Sequence, residues 1–244
     1  MKKYVLKIKD MKIPYCIKNY KTSKSIKIIF KEDILTITKS PYVSIKEAEN
    51  FIYKNEENIY EFYKKVEIEK ATKKTIWENG ESILYKGELY KIEIQYIKQD
   101  LINIQIDNEQ KKFKIFMSEK CIGKEEEFSK KIILKIYKQN TEKILYEKLP
   151  YWSDITGINY NSFKVRDAKT KYGSCKTKTK DLHFTSRLIM LKDEAIDAVI
   201  VHELCHIIYP NHSKDFYNLV LSFIPNYKQL DKYLKECSKY VRAK

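Results

Sequence analysis

Three of the four histidines in the 244-residue chain lie within eleven residues, between His202 and His212. His202 and His206 are four residues apart, so in a helix both imidazoles lie on one face and can bind one metal ion. Pro210 cannot comfortably continue a helix, so we expect the backbone to turn just after Tyr209. Because such a turn can return His212 to the other two, the spacing predicts a three-histidine zinc site.

Glu203 follows the first of these histidines and completes the pattern His-Glu-x-x-His. Three protein ligands leave the fourth position of a zinc ion to water, and zinc lowers the pKa of that water towards about 7. Glu203 is therefore predicted to be the general base that takes the water's proton as it attacks a polarised carbonyl. The same pattern also occurs in helices that bind no metal, so its flanks matter.

The residues before His202 form a strongly apolar segment, as a helix buried behind an active site requires. Asp193 and Glu194 suit the first turn of such a helix, because acidic side chains stabilise a helix amino terminus. The sequence therefore predicts a metal-binding helix from about Asp193 to Tyr209. Cys205 faces away from the histidines on this helix and is not expected to be a ligand.

The composition indicates a globular protein with one large core or two smaller ones, since 43% of the residues are hydrophobic. No run of about eighteen apolar residues is present, and the amino terminus alternates charged with hydrophobic residues, so neither a membrane span nor a signal peptide is expected. Five cysteines at irregular spacing do not resemble a disulfide framework, which predicts a cytoplasmic protein.

The net charge of +15 comes from lysines spread through almost every segment. This dispersion favours a solvated surface over a dedicated nucleic-acid face. The densest basic stretch runs from Arg166 to Lys180, just before the predicted metal helix, so a polyanion nearby stays an alternative. We expect nucleic-acid binding to be weak and unspecific.

The first half of the chain is predicted to be β-rich with one helix. Alternating runs at Tyr4–Lys9, Ser25–Phe30 and Ile34–Thr38 indicate hairpins of an antiparallel sheet. A capping box at Ser44–Glu47 predicts a helix that extends to about Val66. Four further strands are expected, separated by glycine and polar turns, at Ser82–Tyr85, Glu88–Tyr96, Ile102–Ile106 and Lys112–Phe116.

The second half is predicted to be helical with a small sheet. A long amphipathic helix is expected over Lys124–Leu149, with Pro150 kinking or dividing it and Gly157 as its C-cap. Strands at Phe163–Arg166, Lys171–Ser174 and Leu182–Thr185 precede the metal helix, and two more helices, one capped by Ser213 and one restarted by Pro225, follow it. The fold class is thus α+β, with a β-rich module over residues 1–120 and a catalytic domain over residues 121–244.

Several separated motifs resemble those of the YgjP-like metal-dependent hydrolases, relatives of the SprT and WLM zinc peptidases. The similar segments are Lys171-Tyr-Gly-Ser-Cys175, Arg187-Leu-Ile, Ile196 to His206, and Asn211-His-Ser-Lys-Asp-Phe216. The resemblance implies a zincin-like catalytic domain with the same three histidines as ligands and Glu203 as general base. Tyr172 stands where the family favours tryptophan, which exchanges one ring for another.

Two other families of zinc peptidases are alternatives to this resemblance, and one of them, the metzincins, also has a third histidine at this interval. Metzincins have a glycine where Tyr209 stands and a methionine turn downstream, and no methionine follows His212 here. In gluzincins a later glutamate is the third ligand, and Glu236 is the one glutamate after His212 but is distant from the motif. His212 is therefore preferred.

Several other residues near the motif have less specific interpretations. Gly173-Ser174-Cys175 is interpreted as a turn or cleft wall rather than as a site for a nucleophilic cysteine. His183 is expected on a strand at the cleft, and its strand, Leu182–Thr185, is a candidate edge for an extended peptide, although any edge strand offers the same main-chain groups. Asp215 either orients a ligand imidazole or stabilises a helix start. The candidates for transition-state donors are Tyr172, Tyr209, His183 and Arg187.

Together these patterns predict a cytoplasmic zinc-dependent peptidase that acts on a peptide or protein. Two alternatives stay open. One is hydrolysis of a non-peptide amide, and the other is a nucleic-acid-associated factor whose zinc domain cleaves bound proteins or serves as a docking module. The sequence does not define an oligomeric state.

Overall fold

The computed structural model describes residues 3–9, 11–21, 25–31, 34–73, 77–168 and 170–241. Two compact units are present, Met1–Glu67 and Ile68–Lys244. Helices and strands occur together in the chain, which confirms the predicted α+β class. In the part of the chain that the structure describes, no helix combines the length and apolar character needed to cross a bilayer.

The first unit contains a four-stranded sheet. Its strands are β1 (Lys3–Ile8), β2 (Met11–Asn19), β3 (Lys27–Lys31) and β4 (Ile34–Lys39). Their order is β1-β2-β4-β3, and β2 and β4 run parallel. The sheet is therefore mixed, and the prediction of an antiparallel sheet was wrong at this pair. The sequence did not predict strand β2, because a proline within the run, Pro14, argues against a strand.

Two helices follow this sheet, α1 (Ile45–Lys54) and α2 (Glu56–Lys73). The predicted capping box is confirmed, since Glu47 N–H donates to Ser44 Oγ at 3.1 Å and Ser44 N–H donates to Glu47 Oε2 at 2.8 Å. The sequence predicted one helix here, but the helix is interrupted at Asn55. The side-chain amide of Asn55 donates to the carbonyl of Phe51 at 2.8 Å. The amide thereby satisfies a carbonyl at the end of α1.

Among its described residues, the second unit contains two sheets and four α-helices that begin within it. Its strands are β5 (Ser82–Tyr85), β6 (Glu88–Ile97), β7 (Ile102–Asp107), β8 (Lys112–Ser118), β9 (Ser162–Arg166), β10 (Gly173–Lys176) and β11 (Asp181–Thr185). Its helices are α3 (Glu125–Thr156), α4 (Asp193–Cys205), α5 (Lys214–Phe223) and α6 (Tyr227–Val241). The sheet orders are β5-β6-β8-β7 and β10-β11-β9. The seven strands predicted in this region are present, with bounds shifted by a few residues.

Helix α3 joins the two hydrophobic cores of the second unit. It has 32 residues, about 48 Å in length, and every fourth one is buried from Ser129 to Ser153. Because four residues turn about 40° beyond a full circle, this stripe winds about 240° around the helix. Tyr137 therefore packs among β5, β6 and β8, while Leu145 and Leu149 pack with α4. The domain boundary predicted at residue 120 stays a prediction; in the second compact unit, α3 packs against both β5–β8 and α4.

Pro150 lies within α3 and does not divide it, since the helix continues to Thr156. A proline inside a helix lacks one N–H donor, but the neighbouring turns of α3 are held by packing on both sides. Gly157 ends the helix at φ 68, which confirms the predicted C-cap.

Helix α4 lies at the centre of the second core and is buried on nearly every side. Its buried residues are Ala195, Ile196, Ala198, Val199, Ile200, Val201, Glu203, Leu204 and Cys205. A helix that is apolar all round is typical of the interior of a domain. On its α3 side, Asp197 accepts hydrogen bonds from Lys148 Nζ at 2.9 Å and from Trp152 Nε1 at 2.7 Å. These contacts fix α4 against α3.

The turn between β5 and β6 contacts the segment that leads into α4. Lys86 and Gly87 donate their backbone N–H groups to the carbonyls of Ile189 and Met190, at 2.8 and 2.9 Å. Gly87 has φ +76, and a Cβ on it would lie 2.8 Å from Lys192 Cβ. Only glycine fits here, because both the left-handed backbone and the close approach exclude a side chain.

We predict that Gly87→Ala destabilises the fold more than Gly80→Ala, which is the matched control. Both glycines have positive φ, so both changes cost about 1–2 kcal/mol of backbone strain. Nothing lies within 4 Å of a Cβ at Gly80, whereas the clash at Gly87 adds about 1–3 kcal/mol. Urea unfolding of the two variants measures the difference, and equal unfolding midpoints would contradict the role of this contact.

Candidate metal centre

The three clustered histidines lie at and just after the carboxyl end of α4. His202 is in the last turn of α4, and His206 is the C-cap with a helical backbone, φ −66 and ψ −19. The helix thus ends four residues before the predicted Tyr209, yet His206 keeps the same face as His202. A turn through Pro210 then leads to His212, directly before the N-cap Ser213 of α5.

The structure brings the three imidazoles together at their Nε2 atoms. His206 Nε2 and His212 Nε2 each lie 3.1 Å from His202 Nε2. Three nitrogens that bind one tetrahedral zinc ion at 2.0–2.1 Å lie about 3.3 Å apart, so the observed spacing fits such an ion. Among the described residues, this is the cluster of histidine, cysteine and acidic side chains that could hold a metal ion.

Hydrogen bonds at the Nδ1 atoms orient two of the rings. His206 Nδ1 lies 3.1 Å from the carbonyl oxygen of Tyr209. A carbonyl only accepts, so this contact places the proton on Nδ1 and leaves the Nε2 lone pair facing the cluster. His202 Nδ1 lies 2.7 Å from the hydroxyl of Tyr227.

Burial keeps His202 and His206 neutral. It lowers the pKa of His202 to about 3, and the neighbouring His206 and His212 lower it further. Burial likewise lowers the pKa of His206 below its ordinary value. Neutral imidazole is the form that binds metals, so no proton has to be displaced from these two rings at neutral pH.

One phenylalanine contacts all three imidazoles. The ring of Phe216, in the first turn of α5, is fully buried. Its centroid lies 4.9 Å from that of His202, 4.5 Å from that of His206 and 5.0 Å from that of His212. Helix α5 is capped by Ser213, whose Oγ accepts the backbone N–H of Phe216 at 3.3 Å. The cap and the ring together hold the segment after the turn against α4.

Glu203 lies beneath β10 with its carboxyl group buried. The residue is 5% exposed, and its Oε2 atom has no hydrogen-bond partner among the described residues. Burial raises the pKa of Glu203 to about 8, while Lys171 opposes this shift. A Cβ on Gly173 would lie 2.7 Å from Glu203 Oε1, so the strand approaches the carboxyl at a distance that only glycine permits. A carboxyl in such a site can accept and return a proton.

The histidines and Glu203 open into a cavity of about 530 Å³ between β10 and α6. Tyr172, Gly173, Ser174 and Cys175 form one wall, and Tyr227, Asp231, Leu234 and Lys235 form the other. The interpretation of residues 173–175 as a cleft wall agrees with this position. Burial raises the pKa of the Cys175 thiol to about 11, so the thiol stays protonated and is a poor nucleophile.

The other residues predicted as transition-state donors either lie outside the cavity lining or already form hydrogen bonds within the protein. Tyr172 lines the cavity, but its hydroxyl donates to the carbonyl of Leu234 at 3.0 Å. The backbone carbonyl of Tyr209 accepts a hydrogen bond from His206 Nδ1. Arg187 lies outside the cavity lining, with its Nε atom 3.8 Å from Asp167 Oδ1. Neither Tyr209 nor Arg187 is among the described residues that line the cavity.

The strand expected to be the edge of the small sheet is its centre. β11 pairs with β10 on one side and with β9 on the other, because the chain turns back from β10 while β9 adds in parallel. The cleft edge is therefore β10, and the prediction for Leu182–Thr185 was wrong. His183 lies on β11 as a cross-strand neighbour of Ser174 and is not part of the cavity lining.

Three other residues were considered in the sequence as ligands or as supports for a ligand, and the structure gives the position of each. Asp215 is exposed in the first turn of α5, which fits a helix-stabilising role rather than one of orienting an imidazole. Glu236 lies on α6 outside the cavity lining, whereas His212 joins the cluster. Cys205 is fully buried, and burial raises its thiol pKa to about 12.

The basic stretch is divided between two surfaces. Lys171 lines the cavity, whereas Lys176 lies on the exposed face of the small sheet with Lys164 and Arg166 of β9. Lys169 lies outside the described residues. Weak nucleic-acid binding by this stretch stays a prediction from its charge.

Two residues in contact with the histidines were not identified from the sequence as part of the site. In the sequence, Phe216 stands out only as the last residue of a family motif, and Tyr227 only as part of the helix predicted after Pro225. Both depend on how α5 and α6 fold back on α4, which residue spacing does not reveal. The one local indication is the capping position of Ser213, which fixes the start of α5.

Comparison with known proteins gives one match over most of the chain. The profile of the family "YgjP-like, metallopeptidase domain" matches residues 23–237. No curated protein matches the chain by sequence. Among solved structures, the metallopeptidase zymogen abylysin of Pyrococcus abyssi is similar, with 20% identity and a TM-score of 0.35, over 37% of this chain and 90% of that one.

We predict that Gly173→Ala destabilises the metal-free protein by about 1–3 kcal/mol, because its new methyl group displaces the buried Glu203 carboxyl. In a Glu203→Ala background the same change should cost little, since the obstructing side chain is gone. Urea unfolding of the two single variants and the double variant, with a chelator present, measures this coupling. Additive effects would show that the two residues do not press on each other.

Proposed function

The chain belongs to the YgjP-like metallopeptidase family, and we propose that it is a zinc-dependent peptidase with Glu203 as its general base. The proposed ligands are His202, His206 and His212. The observation that carries the proposal is the convergence of three Nε2 atoms, two of them 3.1 Å from the third, beside a buried carboxyl.

Zinc is proposed because the donor set is three imidazole nitrogens. Three protein ligands with one open position are typical of catalytic zinc, whereas structural zinc is enclosed by four. The histidine cluster here faces a cavity rather than a fourth protein ligand. Calcium and magnesium are disfavoured, since both prefer oxygen ligands.

The reaction assigns separate tasks to the metal and to the protein. Bound zinc would supply Lewis acidity, which polarises a substrate carbonyl and makes a neighbouring water easier to deprotonate. Glu203 accepts that water's proton and then returns it to the amine that leaves when the peptide bond breaks. Its burial beneath Gly173 supports this role, because a shielded carboxyl keeps a fixed position relative to the histidines.

A peptide or protein substrate is favoured over a small amide by the shape of the cleft. β10 has one strand neighbour in its sheet, β11, and forms a wall of the cavity. An extended peptide can add main-chain hydrogen bonds to such an edge, which a small amide cannot do along its length. The cavity of about 530 Å³ is large enough to hold several side chains.

We predict about one zinc ion per purified chain, lost in the His202→Ala, His206→Ala double variant, because the remaining imidazole cannot hold the ion alone. His183→Ala is the matched control, since the fourth histidine lies outside the cluster and should leave the zinc content unchanged. Elemental analysis after dialysis gives the ratio. Full zinc content in the double variant would contradict the ligand assignment.

We predict that Glu203→Gln keeps its zinc and its fold but loses peptide cleavage by roughly 10²–10⁴-fold. The amide has the same shape as the carboxyl but cannot accept the proton of water. Cleavage of an unstructured protein or a peptide library measures the rate, and elemental analysis of the same sample confirms the metal. A zinc-loaded Glu203→Gln variant that cleaves as fast as the parent would exclude this mechanism.

A further inference from the structure

Tyr227 makes the closest polar contact with the histidine cluster from another helix. It is the first residue of α6 and is 4% exposed. Its hydroxyl lies 2.7 Å from His202 Nδ1, and the two rings are nearly parallel, with centroids 6.0 Å apart and an interplanar angle of 17°. The contact joins residues separated by 25 positions in the chain.

The chemistry of His202 determines the direction of this hydrogen bond when a metal is bound. The Nε2 atom of His202 faces the other two imidazoles, so that nitrogen must present its lone pair. A neutral imidazole then carries its proton on Nδ1, which donates to the Tyr227 oxygen. With a metal bound, Tyr227 thus accepts the Nδ1 proton of His202 and fixes the ring orientation that binding requires.

The same task is performed for His206 by a backbone carbonyl, that of Tyr209. For His212, no Nδ1 partner is present among the described residues, and its ring is exposed. Among the described residues, Tyr227 is therefore a side chain whose hydrogen bond to a ligand imidazole can be removed by substitution. It also connects α6, which forms one wall of the cavity, to the cluster.

We propose that Tyr227 is a positioning residue that accepts the Nδ1 proton of His202, holds the ring in its metal-binding orientation and so raises the affinity of the site for zinc. This inference rests on the proposed function. Donation to the transition state is a different role, and the position of the hydroxyl at Nδ1 argues against it. That atom lies on the side of the ring away from the cluster, and a donor to the substrate would face Nε2.

The test compares Tyr227→Phe with Tyr217→Phe. Tyr217 is a matched control, because its ring lies 6.0 Å from that of His212 but no hydrogen bond joins its hydroxyl to a histidine in the described residues. Zinc affinity is measured by competition with a chromophoric chelator at fixed pH, and circular dichroism verifies the fold. We expect Tyr227→Phe to bind zinc roughly 10–100-fold more weakly, and Tyr217→Phe to match the parent.

A second measurement observes the hydrogen bond directly, first in the parent chain and then in Tyr227→Phe. In the zinc-loaded parent, the His202 Nδ1 proton should give a nuclear magnetic resonance signal that exchanges slowly with solvent, because it is held by a buried acceptor. Its absence would overturn the proposal. In Tyr227→Phe the signal should disappear, while that of His206 stays.

Other outcomes have distinct meanings. Parent-like zinc affinity in Tyr227→Phe, with a lowered kcat, would overturn the positioning role and indicate a contact with the reacting groups. Equal weakening in both variants would also overturn it, because the effect would then come from packing around the rings. A parent chain that binds no zinc would contradict the proposed function itself, which distinguishes that failure from the other two.

Discussion

The site depends on one constraint: α4 is buried on nearly all sides, yet the polar imidazoles of His202 and His206 lie at its carboxyl end. Burying an imidazole is costly unless its nitrogens have partners. The fold meets this cost for His202 through Tyr227 and for His206 through the carbonyl of Tyr209. Phe216 fills the remaining space against all three rings. The geometry of the cluster therefore belongs to α4, α5 and α6 together.

A second constraint acts from the small sheet. β10 crosses the buried carboxyl of Glu203 so closely that Gly173 has no room for a side chain. The same approach removes the carboxyl from solvent and raises its pKa to about 8. A structural requirement of packing and a chemical property of the proposed base thus have one cause, the close contact between a strand and a helix.

The larger sheet of the second unit serves the site indirectly. Helix α3 packs on that sheet through Tyr137 and on α4 through Leu149, so one continuous helix sets the distance between the two cores. The turn at Gly87 adds a second connection, to the segment that leads into α4. These links explain why β5–β8 belong to the same compact unit as the histidines, although their strand pattern resembles that of the first unit.

The sequence by itself determined the local features. The spacing of His202, Glu203 and His206 placed them at the end of one helix, and hydrophobic alternation located β5–β8, because both signals arise within a few residues. The capping box at Ser44–Glu47 was likewise readable from its spacing. Strand partners could not be predicted in this way, because pairing joins residues that are far apart in the sequence. For this reason the prediction of β11 as an edge was wrong, and the parallel pairing of β2 with β4 was not predicted. Only the tertiary structure decided that Tyr227 lies against His202, because that contact requires α6 to fold back across α4.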